Sequence, residues 1–171
     1  SSLPRSWRAH ARARVSSGGM SEVRVHDVKR RLARSVDGLF PGRDLLKEPH
    51  VVVTLALRTS HRQSALSHEM IAERNAAFGQ LVERMRAFCE RLRGLGVWCD
   101  FIDPSSGAPY ETDSPSQLIE CDEVYRQLGF QVLELGCCRA LANEKFGQCL
   151  VMTSAFVACS REGLEPHLPL L

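Results

Sequence analysis

The 171-residue sequence predicts an α/β (α+β) domain, a sheet flanked by helices, on three observations. Residues 51–57 and 148–159 are apolar on both faces, as central strands are. One long amphipathic helix spans about 69–95. The segments then follow as helix, strand, long helix, strand, loop and hairpin, an order that layers helices on a sheet. A hydrophobic content of 44% supports one domain with a true core.

Taken in chain order, Val28, Leu32, Val36 and Phe40 recur every four positions, which predicts a helix over 23–40. It stops before Pro41, whose ring disfavours helical geometry in Phe40. In the next segment Val51, Val53, Leu55 and Leu57 share one face, and Val52, Thr54 and Ala56 leave the other uncharged. The long helix carries Ile71, Phe78, Leu81, Val82, Met85, Phe88, Leu92 and Leu95 in one stripe. Ser67 is its candidate N-cap, and Gly94 and Gly96 end it. Residues 97–102 read as a strand, 103–107 as a turn, 108–117 as a loop and 120–128 as a short helix ending at Gly129. Two further strands, 130–142 and 148–159, are joined by Asn143–Gly147 into the expected hairpin.

Residues 1–21 hold Arg5, Arg8, Arg12 and Arg14 and no acidic residue, and read as a disordered basic leader or a flexible tail. The folded domain is expected over 22–160, with 161–171 a loose C-terminal tail. Outside the leader the remaining basic side chains are outnumbered by the 20 acidic ones, so the body lacks the basic face that nucleic acid requires. No apolar run is long enough to span a membrane. Seven cysteines, an odd number with no secretory signal, argue for reduced thiols in a cytoplasmic or organellar compartment.

Phosphate-binding loops, zinc-protease and serine-hydrolase motifs are absent from the sequence. Asp100 and Asp103 flank a strand end and could do acid–base work, but an Asp in a turn more often binds backbone N–H groups. A Cys–His pair with His50 or His61 has no feature in its favour. Cys137 and Cys138 stand out between Gly136 and Arg139. On a strand only one thiol could face a given site, and local chemistry favours core packing for both. Against that, Gly136 permits a bulge or close approach, and Arg139 would favour a thiolate, a soft ligand for transition metals.

Four blocks are collinear with a known family: VWCDFIDPSSG (97–107), CDEVYRQLGF (121–130), ELGCCRAL (134–141) and FGQCLVMTSAFVA (146–158). In this order they resemble the cobalamin-trafficking CblD family, the methylmalonic aciduria and homocystinuria type D proteins. The resemblance is dense over 96–159 and looser back to about residue 25; it fades in the loop at 108–119. It implies a nitro-FMN-reductase-like domain without flavin and without enzymatic activity. It also implies a CblC-like partner that processes cobalamin, and delivery toward methionine synthase, methylmalonyl-CoA mutase or both, in the cytoplasm and the mitochondrion. Cobalamin would be shared with the partner, with Cys137 as the cobalt ligand and Cys138 packed on the other side of its strand. A flavin- or thiol-dependent oxidoreductase on the same fold is the competing expectation.

Overall fold

A computed structural model describes Arg14, Val15 and residues 20–171. Most of the basic leader segment therefore lies outside the described residues. The main sheet runs β1 (Arg14–Val15), β2 (Ser21–Asp27), β3 (Val51–Arg58), β7 (Leu150–Val157) and β4 (Cys99–Phe101), in that spatial order. Every neighbouring pair is antiparallel, which places the chain on the α+β side of the predicted class. Both faces of the sheet are covered, so β3 as far as Leu57 and the whole of β7 are buried although their neighbours are antiparallel.

One face packs on the long helix α2 (His68–Gly94). Val51, Val53, Leu55 and Leu57 of β3 and Val151, Ala155 and Val157 of β7 meet Leu81, Met85, Phe88 and Leu92 there. Ser67 caps this helix, its Oγ accepting the Met70 N–H at 3.1 Å. The chain turns away at Gly96, whose φ is +78°. At the ends the expected stripe runs out, with Ile71 47% and Leu95 59% exposed. The 27-residue helix is about 40 Å long, whereas eight-residue strands cover about 27 Å, so it overhangs the sheet.

The opposite face is covered by α1 (Arg30–Ser35), the turns after it, α3 (Val124–Gln127) and a separate hairpin of β5 (Gln131–Glu134) and β6 (Arg139–Ala142). Leu32, Val36, Phe40, Leu128, Phe130, Val132 and Leu141 pack there against Val52, Ala56 and Phe156.

Several sequence expectations are corrected. Residues 23–27 are not helical; Val23 and Val25 alternate with Glu22, Arg24 and His26 in β2, and the four-residue spacing starts only at Val28. The stretch 130–142 is two strands instead of one. It forms a hairpin by itself, and residues 143–147 close a small turn by a bridge between Asn143 and Gly147. The terminal residues are packed, not loose. Ser160 caps α4 (Arg161–Leu164), a 3₁₀ helix (Glu165–Leu170) follows, and Leu164, Leu168 and Leu171 enter the core beside α2. Pro166 and Pro169 are accommodated because this short helix needs few backbone donors. Among the described residues no helix is long and apolar enough to cross a membrane.

The sheet holds the hairpin through buried polar contacts. The β2 face that looks toward the hairpin carries Glu22 and Arg24, paired at 3.1 Å and both largely removed from solvent. Arg24 Nη1 donates to the Gly129 carbonyl at 2.9 Å, just before β5. Asn143, just after β6, donates through Nδ2 to Glu22 Oε2 at 2.8 Å. Lys145 adds a bond to the Ser21 carbonyl at 2.8 Å. Gly129 has φ +79°, and a Cβ there would lie 2.9 Å from Arg24 Nη1.

Leu164→Ala is expected to destabilise the protein by about 2–5 kcal/mol, seen as a lower urea midpoint with an unchanged slope. An unchanged midpoint would mean that residues 161–171 stand outside the cooperative core.

Candidate functional site

The two adjacent cysteines sit at the tip of the β5–β6 hairpin. Glu134 and Arg139 form its last paired register, and the Leu135 N–H donates to the Cys138 carbonyl at 2.9 Å. That bond closes a turn with Gly136 and Cys137 at its centre. Gly136 has φ +82°, the left-handed backbone that favours glycine, and Cys137 is not in that region. Gly136 is therefore neither a bulge nor a point of close approach. A Cβ at that position would meet nothing within 4 Å, and only its backbone angle demands glycine.

This placement overturns the strand argument. Both thiols are exposed, so Cys138 is not packed, and the sulfurs lie 3.6 Å apart on the same tip. Within that distance the Cys137 S–H can reach the Cys138 sulfur. The hydrogen bond with the Cys137 side chain, the largest cause, pushes the Cys138 thiol up from its usual range.

The guanidinium of Arg139 is turned aside. Its Nε lies 2.8 Å from Glu134 Oε1, and its Nη1 lies 3.7 Å from Glu123 Oε1. Glu123 also holds Arg126 Nε at 2.5 Å, and Arg126 Nη2 donates to the Val132 carbonyl at 2.7 Å. These contacts brace the hairpin against α3. The charge of Arg139 also reaches Cys121, as the smallest of the influences on that thiol. Cys121 is half-buried, and burial pushes its thiol up, while Arg74 and the Leu141 N–H act in the opposite direction. It also carries the only positive φ, +67°, among the described non-glycine residues. Cys121 lines an open groove of about 640 Å³ between the Arg74–Glu120 ion pair and Arg139. Exposed Ile119 adds apolar surface to this groove.

The other candidates are occupied. Asp100 is buried and accepts the Phe101, Glu111 and Thr112 N–H groups and the Thr112 hydroxyl at 2.6–3.0 Å. It fastens the 108–117 loop to β4. Asp103 accepts the Ser105 N–H and the Ser105 and Ser106 hydroxyls within its own turn. His61 binds Glu73 at 2.7 Å, and His50 Nδ1 lies 2.9 Å from the Glu48 carbonyl. Among the described residues there is no group of three or more His, Cys, Asp or Glu side chains able to hold a metal ion. Sequence reasoning missed Glu123, Glu134 and Cys121 as neighbours of the tip. Glu134 was within reach, because a two-residue turn centred on Gly136 pairs it with Arg139 across the hairpin.

The chain matches the family model described as methylmalonic aciduria and homocystinuria type D protein over residues 4–164. It is similar to the "Cobalamin trafficking protein CblD" of Rattus norvegicus, 36% identical over 129 residues that cover 73% of this chain and 42% of the relative. The Homo sapiens protein of that name is 33% identical over the same coverage. The Gallus gallus protein is 30% identical over 144 residues, 82% of this chain and 45% of the relative. The chain thus spans less than half the length of these relatives.

Gly136→Ala should weaken the hairpin by about 1–2 kcal/mol through its backbone angle alone. The expected readout is faster amide exchange over residues 131–142 with little change in global melting. The pairing of the thiols makes a second prediction. Cys137→Ala removes the largest cause of the upward shift at Cys138, so alkylation of Cys138 by iodoacetamide should reach half its maximal rate at lower pH than in the unmodified protein. A midpoint that stays or rises would reject the coupling.

Proposed function

The chain belongs to the methylmalonic aciduria and homocystinuria type D protein family, and from that premise we propose that it is a non-enzymatic adaptor in cobalamin trafficking. Its partner is a CblC-like protein that holds and processes the cofactor, and Cys137 supplies a thiolate to the cobalt across the interface. Delivery toward methionine synthase, methylmalonyl-CoA mutase or both, in the cytoplasm and the mitochondrion, belongs to the same reading. So does a nitro-FMN-reductase-like ancestry without flavin.

The observation that carries this reading is an exposed thiol at the apex of a braced hairpin. A ligand for a cofactor seated in another protein must reach past its own backbone, and the centre of a two-residue turn is the part of a hairpin that extends furthest. Thiolate is a soft, strong donor to a transition metal, and one thiolate suffices when the remaining positions are filled by the cofactor. The roots of the hairpin are held by buried contacts, so the sulfur is presented at a defined height. Asp100 and Asp103 spend their oxygens on their own loops, which supports an adaptor over an acid–base catalyst.

The test mixes this chain with CblC carrying cob(II)alamin and records absorbance and paramagnetic resonance spectra. A thiolate–cobalt signature should appear with the unmodified chain and with Cys138→Ser, and vanish with Cys137→Ser while the two proteins still co-elute. An identical spectrum with Cys137→Ser would remove the cobalt-ligand role.

A further inference from the structure

We propose that Cys137 and Cys138 together form a chelating site for monosubstituted trivalent arsenicals, independent of any cobalt chemistry. The argument begins with the distance between the sulfurs, 3.6 Å, at a tip where both are exposed. A soft centre bonded to each sulfur at about 2.3 Å would span that gap with an S–X–S angle of about 103°, close to the preference of a pyramidal or tetrahedral centre. Neither side chain has to move.

The obvious rival for two neighbouring thiols is an internal disulfide, and the backbone disfavours it. Adjacent Cα atoms are about 3.8 Å apart across a trans peptide, below the roughly 4.4–6.8 Å that disulfides ordinarily need. The sulfurs would also have to close to about 2.05 Å. A one-atom bridge fits where a direct bond strains.

The surroundings then select the ligand. A bare zinc ion seeks about four donors in a structural site. Among the described residues no third metal-binding side chain joins the pair, and Arg139 and Glu134 at the foot of the tip are committed to one another. The site therefore suits a centre that brings its own remaining substituent, which a monosubstituted arsenic(III) does. The reaction balances without redox change. An arsine oxide, R–As=O, meets two S–H groups; two As–S bonds form, the As=O bond breaks, and the oxygen leaves with both protons as water. The resulting nine-membered ring runs through the Cys137–Cys138 peptide.

The second close thiol pair in the chain is Cys89 and Cys99, which lie within reach of each other but are 0% and 1% exposed. They serve as the internal control. Occupation of the tip would withdraw Cys137 from any other ligand, so an arsenical would act as a competitor at that position.

The experiment uses the folded chain alone, without cobalamin or partner, so its failure leaves the cobalt reading untouched. Phenylarsine oxide is added and followed by native mass spectrometry and by titration of free thiols. The expected result is one phenylarsenic group per chain and the loss of two titratable thiols. Dimercaptopropanol should reverse it, and glutathione at equal thiol concentration should not. Cys137→Ser and Cys138→Ser should each weaken binding by about 100-fold or more, the usual advantage of a second tethered contact. Melting curves confirm that both variants are folded. An adduct retained by either variant, or lost only when Cys89 or Cys99 is replaced, overturns the proposal.

Discussion

The pair of buried Glu22 and half-buried Arg24 is the interaction on which the placement of the hairpin depends. A charge taken out of water needs a partner, and removing one member of a buried pair typically costs about 3–5 kcal/mol because the other is left exposed to a low dielectric. Here the pair also reaches outward from the sheet. Arg24 spends a second nitrogen on the Gly129 carbonyl, and Glu22 spends an oxygen on Asn143. The two ends of the β5–β6 unit are therefore fixed to the same strand by groups that cannot be released singly. This is an unusual division of labour for a two-stranded ribbon, which is marginal by itself in water. Apolar contacts of Phe130, Val132 and Leu141 hold the ribbon down, and the charged pair sets where it stands.

Much of the frame was legible because it obeys a single period. β3 and α2 fall where their apolar spacing puts them, and Ser67 caps the helix as its side chain suggests. The errors have specific physical causes. Val23 and Val25 were absorbed into a four-residue pattern that begins later, although their alternation with charged residues belongs to a strand edge-on to solvent on neither face. In VLELGCCRALA the alternation continues straight through the reversal, so hydrophobicity alone carries no sign of the turn. Gly136 is the one marker there, and it fits a bulge or a close backbone approach as readily as a turn. The prolines of the last residues argued for fraying, yet a 3₁₀ helix tolerates them and three leucines gain a core.

The candidate site was legible in a different way. Local chemistry assigned the two cysteines to a strand and hence to packing; family resemblance alone singled out Cys137. Geometry then supplied what neither could, namely that both sulfurs are exposed and close together. The role given to Arg139 was misplaced for a related reason. Proximity in sequence suggested that it would stabilise a thiolate, but across a hairpin its nearest opposite charge is Glu134, and two carboxylates claim it. The tip is left with little fixed charge of its own. The Cys138 thiol is governed mainly by its neighbour Cys137.

The close approach of Gly129 to Arg24 has a consequence for how the chain tolerates change. Position 129 admits no side chain without displacing a buried guanidinium, whereas the tip makes no core contact at all. Damage at these two places should reach the cell by different routes. A fault at the root lowers the folded population and exposes the chain to quality-control proteases. A fault at the tip leaves a well-folded molecule at normal abundance, altered only at its exposed thiols.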